Sequence, residues 1–280
     1  MILGMELRAR ALLVLTEPDP ARKAAQAKAL LASLRSAAAG PALLDTEAIL
    51  AAPGDLPGRP ALPRLVPAGQ VPRRSPFTPA GRAALLHAIC HIEFNAINLA
   101  LDAAWRFAGM PERYYLDWLR VAGEEALHFS LLQAHLQTLG HHYGDFDAHD
   151  GLWQMTEATR DDIVARMALV PRTLEARGLD ATPPIQAKLR QAGDHAAVAI
   201  LDIILRDEIG HVAIGNHWYR WLCARDGLDA EALYPALVLR YAAPRLRPPF
   251  NRAARLAAGF SARELDWLAG SVATPAEPPG

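Results

Sequence analysis

The sequence predicts an all-α protein built around a four-helix bundle, and three observations carry that expectation. Strand signals are nearly absent, since no run of alternating β-branched residues is long enough to count. Hydrophobic residues make up 51% of the 280-residue chain; alanine is abundant, and the long apolar stretches stop at glycine or proline, as close-packed helices do. Third, a glutamate is twice followed three residues later by a histidine on an apolar helix face. Glu125 and His128 lie inside WLRVAGEEALHFSLL, and Glu208 and His211 inside ILDIILRDEIGHVAIG. Positions i and i+3 face the same way, so each pair offers a carboxylate and an imidazole to one point. Two such pairs, joined by lone glutamates from two other helices, form the ligand set of a two-metal carboxylate site in a bundle core.

The elements follow in chain order. Residues 1–79 are expected to form an N-terminal extension: an opening apolar helix, the amphipathic helix ARKAAQAKALLASLRSAA, and a proline-dense stretch over 52–79. Pro53, Pro57, Pro60, Pro63, Pro67, Pro72, Pro76 and Pro79 exclude a helix there and predict an extended arm. The bundle is assigned to 80–223. Its first helix runs from about Gly81 to Phe107 and its second from about Glu112 to Leu139, joined at Gly109-Met110-Pro111. The third starts near Leu152, kinks at Pro171 and ends at Gly178 before GLDATPP, with a short separate piece over about Ile185 to Gln191. The fourth begins at the N-cap Asp194, after Gly193, and ends near Cys223. Residues 224–280 form a C-terminal extension of two or three short helices.

The neighbours of the acids separate these glutamates from ordinary surface ones. Glu93 shares its face with Leu86, Ile89, Cys90, Ala96, Ile97 and Ala100. Around Glu125 lie Trp118, Val121, Ala122, Phe129 and Leu132; around Glu208 lie Leu201, Ile204, Leu205 and Val212. A solvated glutamate should have polar neighbours at those offsets, as Glu157 does with Asp150, Gln154, Arg160 and Asp161. Glu175 is the weakest member, with Pro171 and Arg172 on its face beside Ala168 and Leu179. The two halves repeat: 32 residues separate Glu93 from Glu125, and 33 separate Glu175 from Glu208. Glu93 and Glu125 lie almost equally far from their shared turn, so a hairpin puts them at one level. An isolated buried carboxylate costs several kcal/mol or takes up a proton. Two divalent cations would neutralise four such groups. The competing explanation is a buried salt-bridge network with Arg120, Arg172 and Arg206, which leaves the histidines unexplained.

The segments ALLHAICHIEFNAINLALDA, EARGLD and RDEIGHVAIGNHW resemble the ferritin-like superfamily in its di-iron carboxylate branch. More narrowly they resemble an uncharacterised bacterial ferritin-like family. The resemblance implies metal ligands at Glu93, Glu125, His128, Glu175, Glu208 and His211. It also implies a role for Asp207 in hydrogen-bonding and orienting a ligand imidazole, with Glu124 weighed for the same role in the first half. Two departures narrow the class: both histidines and long extensions argue against iron storage, and Leu132 occupies the position where a ribonucleotide reductase small subunit has its radical tyrosine.

The expected function is therefore a dioxygen-activating oxidase or monooxygenase with two iron ions, or manganese or mixed manganese/iron. Its partners would be dioxygen, a small-molecule substrate and an electron donor the sequence does not name, with a homodimer left open. Manganese-type peroxide detoxification, hydroxylation of tRNA and a non-catalytic metal-stabilised binding protein are the alternatives. A net charge of −1 argues against a general nucleic-acid or anionic-membrane binder. The arginines of YAAPRLRPPFNRAARL read better as a solvated helical face than as phosphate contacts. Glu6, Arg8 and Arg10 interrupt any signal-peptide core, and no run of about 18 uncharged apolar residues appears, so a soluble cytoplasmic protein is expected. The two cysteines, Cys90 and Cys223, make no disulfide scaffold.

Overall fold

The computed structural model describes residues 5–35, 43–72 and 74–270. Its α-helices are α1 (Leu7–Leu15), α2 (Pro20–Arg35), α3 (Pro79–Arg106), α4 (Glu112–Thr138), α5 (Gly151–Ala158), α6 (Ile163–Leu169), α7 (Ala176–Gln191), α8 (His195–Arg225), α9 (Ala230–Arg240), α10 (Arg252–Ala257) and α11 (Ala262–Gly270). A π-helical turn, Val170–Glu175, joins α6 to α7. Among the described residues there is no β-strand, only an isolated bridge between Leu65 and Ala148, so the all-α expectation holds. The chain divides into two compact units: residues 1–154 with 186–203, and residues 155–185 with 204–280.

In the first unit α3 and α4 form an antiparallel hairpin. Thr78 caps α3 by accepting from the Gly81 N–H at 3.1 Å, and Pro79 supplies the preset φ of a first turn. The helix runs until Phe107, which is extended, and Pro111 then precedes α4. Alone among the described helices, α3 is long and apolar enough to cross a membrane; 72% of its most apolar window is buried inside the protein. Its hydropathy is that of a core helix packed on several sides.

The N-terminal helices are fastened by two buried basic side chains. Arg8 on α1 donates to the carbonyls of Asp45, Ala48 and Trp105. Lys23 on α2 donates to the Gly58 carbonyl at 2.8 Å and to Asn98 Oδ1 at 2.5 Å. These bonds tie the proline-rich arm to α2 and α3. Among its described residues before Pro79 the arm holds no α-helix, as expected, and has a 3-10 turn at Ala68–Gln70. The start of α8 also belongs to this unit. Gly193, at φ 76°, reverses the chain after α7, and Asp194 accepts from the Ala197 N–H at 3.0 Å. The same carboxylate accepts from His135 Nε2 on α4 at 2.9 Å and pairs with Arg82 on α3 at 3.3 Å. The fourth bundle helix is thereby pinned to the first two at its N-terminus.

In the second unit the expected third helix needs correction at both ends. It breaks after Ala158, and Asp162 caps a new helix, α6, by accepting from the Ala165 N–H. At Gly178 it does not break. The GLDATPP stretch is helical, and α7 carries Pro183 and Pro184 in its interior. The lost N–H of Pro183 deprives the Leu179 carbonyl of its i+4 donor, and Asn251 Nδ2, 72 residues away in sequence, donates to that carbonyl at 3.1 Å. Asp180 on the same turn takes the Asn251 N–H and the guanidinium of buried Arg255. The distortion expected at Pro171 takes the form of the π turn. On α8, Gly215 makes room for it: a Cβ there would lie 2.5 Å from Pro171 Cβ. Three short helices, α9 to α11, complete the unit as predicted. Ser261 and Glu264 form a capping box at α11, each side chain accepting the other's N–H.

Candidate metal centre

Glu93 stands mid-way along α3, and Glu125 and His128 share one face of α4. The hairpin brings them together: His128 Nδ1 lies 3.1 Å from Glu93 Oε2 and 3.2 Å from Glu125 Oε2. The expected common level of the two acids is thus met. All three are buried, with 3%, 1% and 0% exposure for Glu93, Glu125 and His128. Phe94, Phe129 and Tyr143 pack ring on ring beside them, with centroids 5.2–5.5 Å apart. Burial by itself pushes the His128 imidazole down, but hydrogen bonds to Glu125 and Glu93 outweigh it and raise the group to about 11. The same nitrogen, Nδ1, faces both carboxylates. A cation held by the same atoms would neutralise them.

The donors are oxygen and nitrogen, ligand types that several divalent metals accept. Cys90 adds no thiolate: burial pushes its thiol well up, and Sγ donates weakly to the Phe129 carbonyl at 3.8 Å. The chain thus holds a buried Glu/His cluster able to bind a metal ion. In the second unit, Glu208 and His211 form the second pair on α8, with His211 Nδ1 3.6 Å from Glu208 Oε1. Both are buried. Glu175, half-buried, is the last residue of the π turn.

The arginines that might have neutralised the acids hold other carboxylates. Arg120 pairs with Glu124 at 2.9 Å, Arg206 with Asp207 at 2.9 Å, and Arg172 with Glu264. Glu124 thus faces a half-exposed arginine, and Asp207 takes two hydrogen bonds from Arg206. The other histidines of α3 have structural partners. His91 Nδ1 meets Tyr143 Oη at 2.9 Å, and His87 Nε2 accepts from the Gly144 N–H at 2.9 Å. Burial lowers both imidazoles to about 4, so they stay neutral. The sequence reading missed Lys23 as a buried group. Its signal was the i, i+4, i+7 alignment with Ala27 and Leu30, both buried.

An all-α chain with a buried Glu/His cluster able to hold a metal ion is the class that fold and site define. The chain belongs to the family described as "Protein of unknown function (DUF455)", whose model matches residues 16–266. An uncharacterised protein of Haemophilus influenzae is 57% identical to it over 216 residues, which cover 75% of each chain. No solved structure matches it.

Proposed function

We propose that the protein is a ferritin-like oxidoreductase whose Glu93, Glu125 and His128 share a two-metal site with Glu175, Glu208 and His211, and that the metal is iron. The carrying observation is the His128 imidazole clamped between two buried carboxylates while Arg120, Arg172 and Arg206 each hold another acid. Glu208 and His211 are included because they repeat on α8 the Glu-x-x-His pair of α4, both at buried positions. Glu175 is assigned on the repeat of spacing and on the π turn, a distortion common at functional sites.

Two bound irons would supply redox equivalents and open positions for dioxygen. The chain's own residues do the rest. The carboxylates offset the metal charge, and Asp207, which also accepts from Arg206, would orient a ligand imidazole. Buried Phe129, Ile204 and Val212 keep water from the site. In this reading the protein is soluble and cytoplasmic, acts on a small molecule and receives electrons from a separate donor. A tRNA substrate is disfavoured, because Arg240, Arg252 and Arg255 are each paired with an aspartate.

The test is to express the chain with iron and manganese both supplied, measure bound metal, and mix the ferrous protein with air. About two irons per chain and a new visible absorption on mixing are expected. Two manganese ions with peroxide turnover would keep the site and replace the chemistry. A metal-free, fully folded protein would refute the proposal.

A further inference from the structure

We propose that the second unit carries a binding site, independent of the metal centre, for a small neutral planar molecule bearing a carbonyl oxygen, an aromatic amide being the simplest case. The site is a cleft of about 140 Å³ between the first turns of α9 and α11, with Arg172 of the π turn among its walls. That volume matches one ring with a substituent, since an apolar cavity of about 150 Å³ holds benzene.

The charge pattern selects a neutral ligand, because every charged wall group already has a partner. Glu231 pairs with Arg263 at 3.3 Å and accepts from Ser261 Oγ at 3.0 Å. Asp229 accepts from the N–H groups of Glu231 and Ala232, capping α9. Glu264 takes Arg172 on one oxygen, and Arg220 and the Ser261 N–H on the other. An anion or a cation entering the cleft would have to displace one of these partners.

The acceptor is called for by Arg172. Its guanidinium is 1% exposed and is enclosed by the rings of Tyr219, Tyr234 and Phe260 at 5.1, 4.9 and 4.8 Å. Nη1 donates to Asn216 Oδ1 at 2.6 Å and Nη2 to Glu264. Nε–H is buried and has no acceptor among the described residues, a condition that costs free energy until an acceptor arrives. A carbonyl oxygen satisfies a lone N–H without bringing charge. The ring requirement comes from the remaining walls, Tyr234, Pro235, Trp267 and Leu268. Trp267 is 42% exposed, a large aromatic held at the surface where a stacked partner would cover it.

Benzamide, benzoate and benzylamine present one ring with a neutral, negative or positive head. Titrated into the whole protein and followed by saturation-transfer NMR, benzamide should saturate below about 10 mM and bind at least tenfold tighter than either ion. Trp267→Ala should weaken benzamide at least tenfold. Ala232→Phe, a change at an exposed position that fills the cleft, should abolish binding with the circular dichroism melt unchanged. The proposal is overturned if benzamide does not saturate, if either ion binds as well, or if Ala232→Phe leaves benzamide binding intact.

Discussion

Lys23 offers a test of how the N-terminal helices are held, and its size can be worked out. The side chain is fully buried, and its two hydrogen-bond acceptors, the Gly58 carbonyl and Asn98 Oδ1, match the two hydrogens of a neutral amine. Burial first, then the nearby Arg59 charge, lowers the group from 10.5 to about 7, against a smaller upward pull from Glu17. Each factor of ten in proton affinity is worth about 1.4 kcal/mol, so holding an ammonium there costs on the order of 5 kcal/mol below pH 7. The sign follows from proton counts. Between about 7 and 10.5 the unfolded chain binds the proton and the folded chain does not, so stability rises with pH. From pH 7 to pH 9 the gain is about 2 kcal/mol. Lys23→Met keeps the length of the stem and removes the titration. Urea unfolding of both proteins at pH 7, 8 and 9, followed by tryptophan fluorescence, gives the difference directly, because other titrating groups cancel. Wild type should gain about 2 kcal/mol on the variant across that range. A constant difference would refute the neutral buried amine.

Two further outcomes are expected. Glu125→Gln keeps the shape of a side chain that is 1% exposed but removes its charge. Ferrous iron at about a thousand times its dissociation constant should stabilise the wild type by about 4 kcal/mol, or about 10 °C in melting temperature. The variant should lose most of that increment in a calorimetric scan, and an unchanged increment would remove Glu125 from the ligand set. Gly215→Ala would set a methyl 2.5 Å from Pro171 Cβ and 2.7 Å from its Cγ, so overpacking should cost about 1–3 kcal/mol. A variant that melts like wild type would show that the π turn yields freely.

The parts of the fold that were legible in the sequence are those set by local rules. α3, α4 and α8 announced themselves through apolar faces punctuated by Pro79, Pro111 and Gly193, and their observed ends lie within about two residues of the expected ones. The shared level of Glu93 and Glu125 followed from equal distances to a turn. What stayed hidden depends on distant partners. Pro183 and Pro184 read as a helix stop because local rules count the missing N–H, whereas Asn251 satisfies the freed Leu179 carbonyl. Buried cations were equally unreadable. Arg255 looks solvated until Asp180 and the rings of Phe250 and Phe260 are seen around it, and Arg172, weighed as a buried partner of the inward acids, holds Glu264 instead.

The π turn at Val170–Glu175 has a consequence for how this segment tolerates change. A wide turn is in effect one surplus residue folded into a helix, and each helical residue advances the side-chain direction by about 100°. Deleting a single position there, such as Val170, would let the segment relax into an ordinary helix without lengthening any loop. Because the wide turn has absorbed that residue, the Glu175 carboxylate would keep its direction relative to the residues before it, whereas a deletion within the regular helix Ile163–Leu169 would swing it about 100° around the axis. At this one place the chain can lose a residue and keep a candidate ligand's aim.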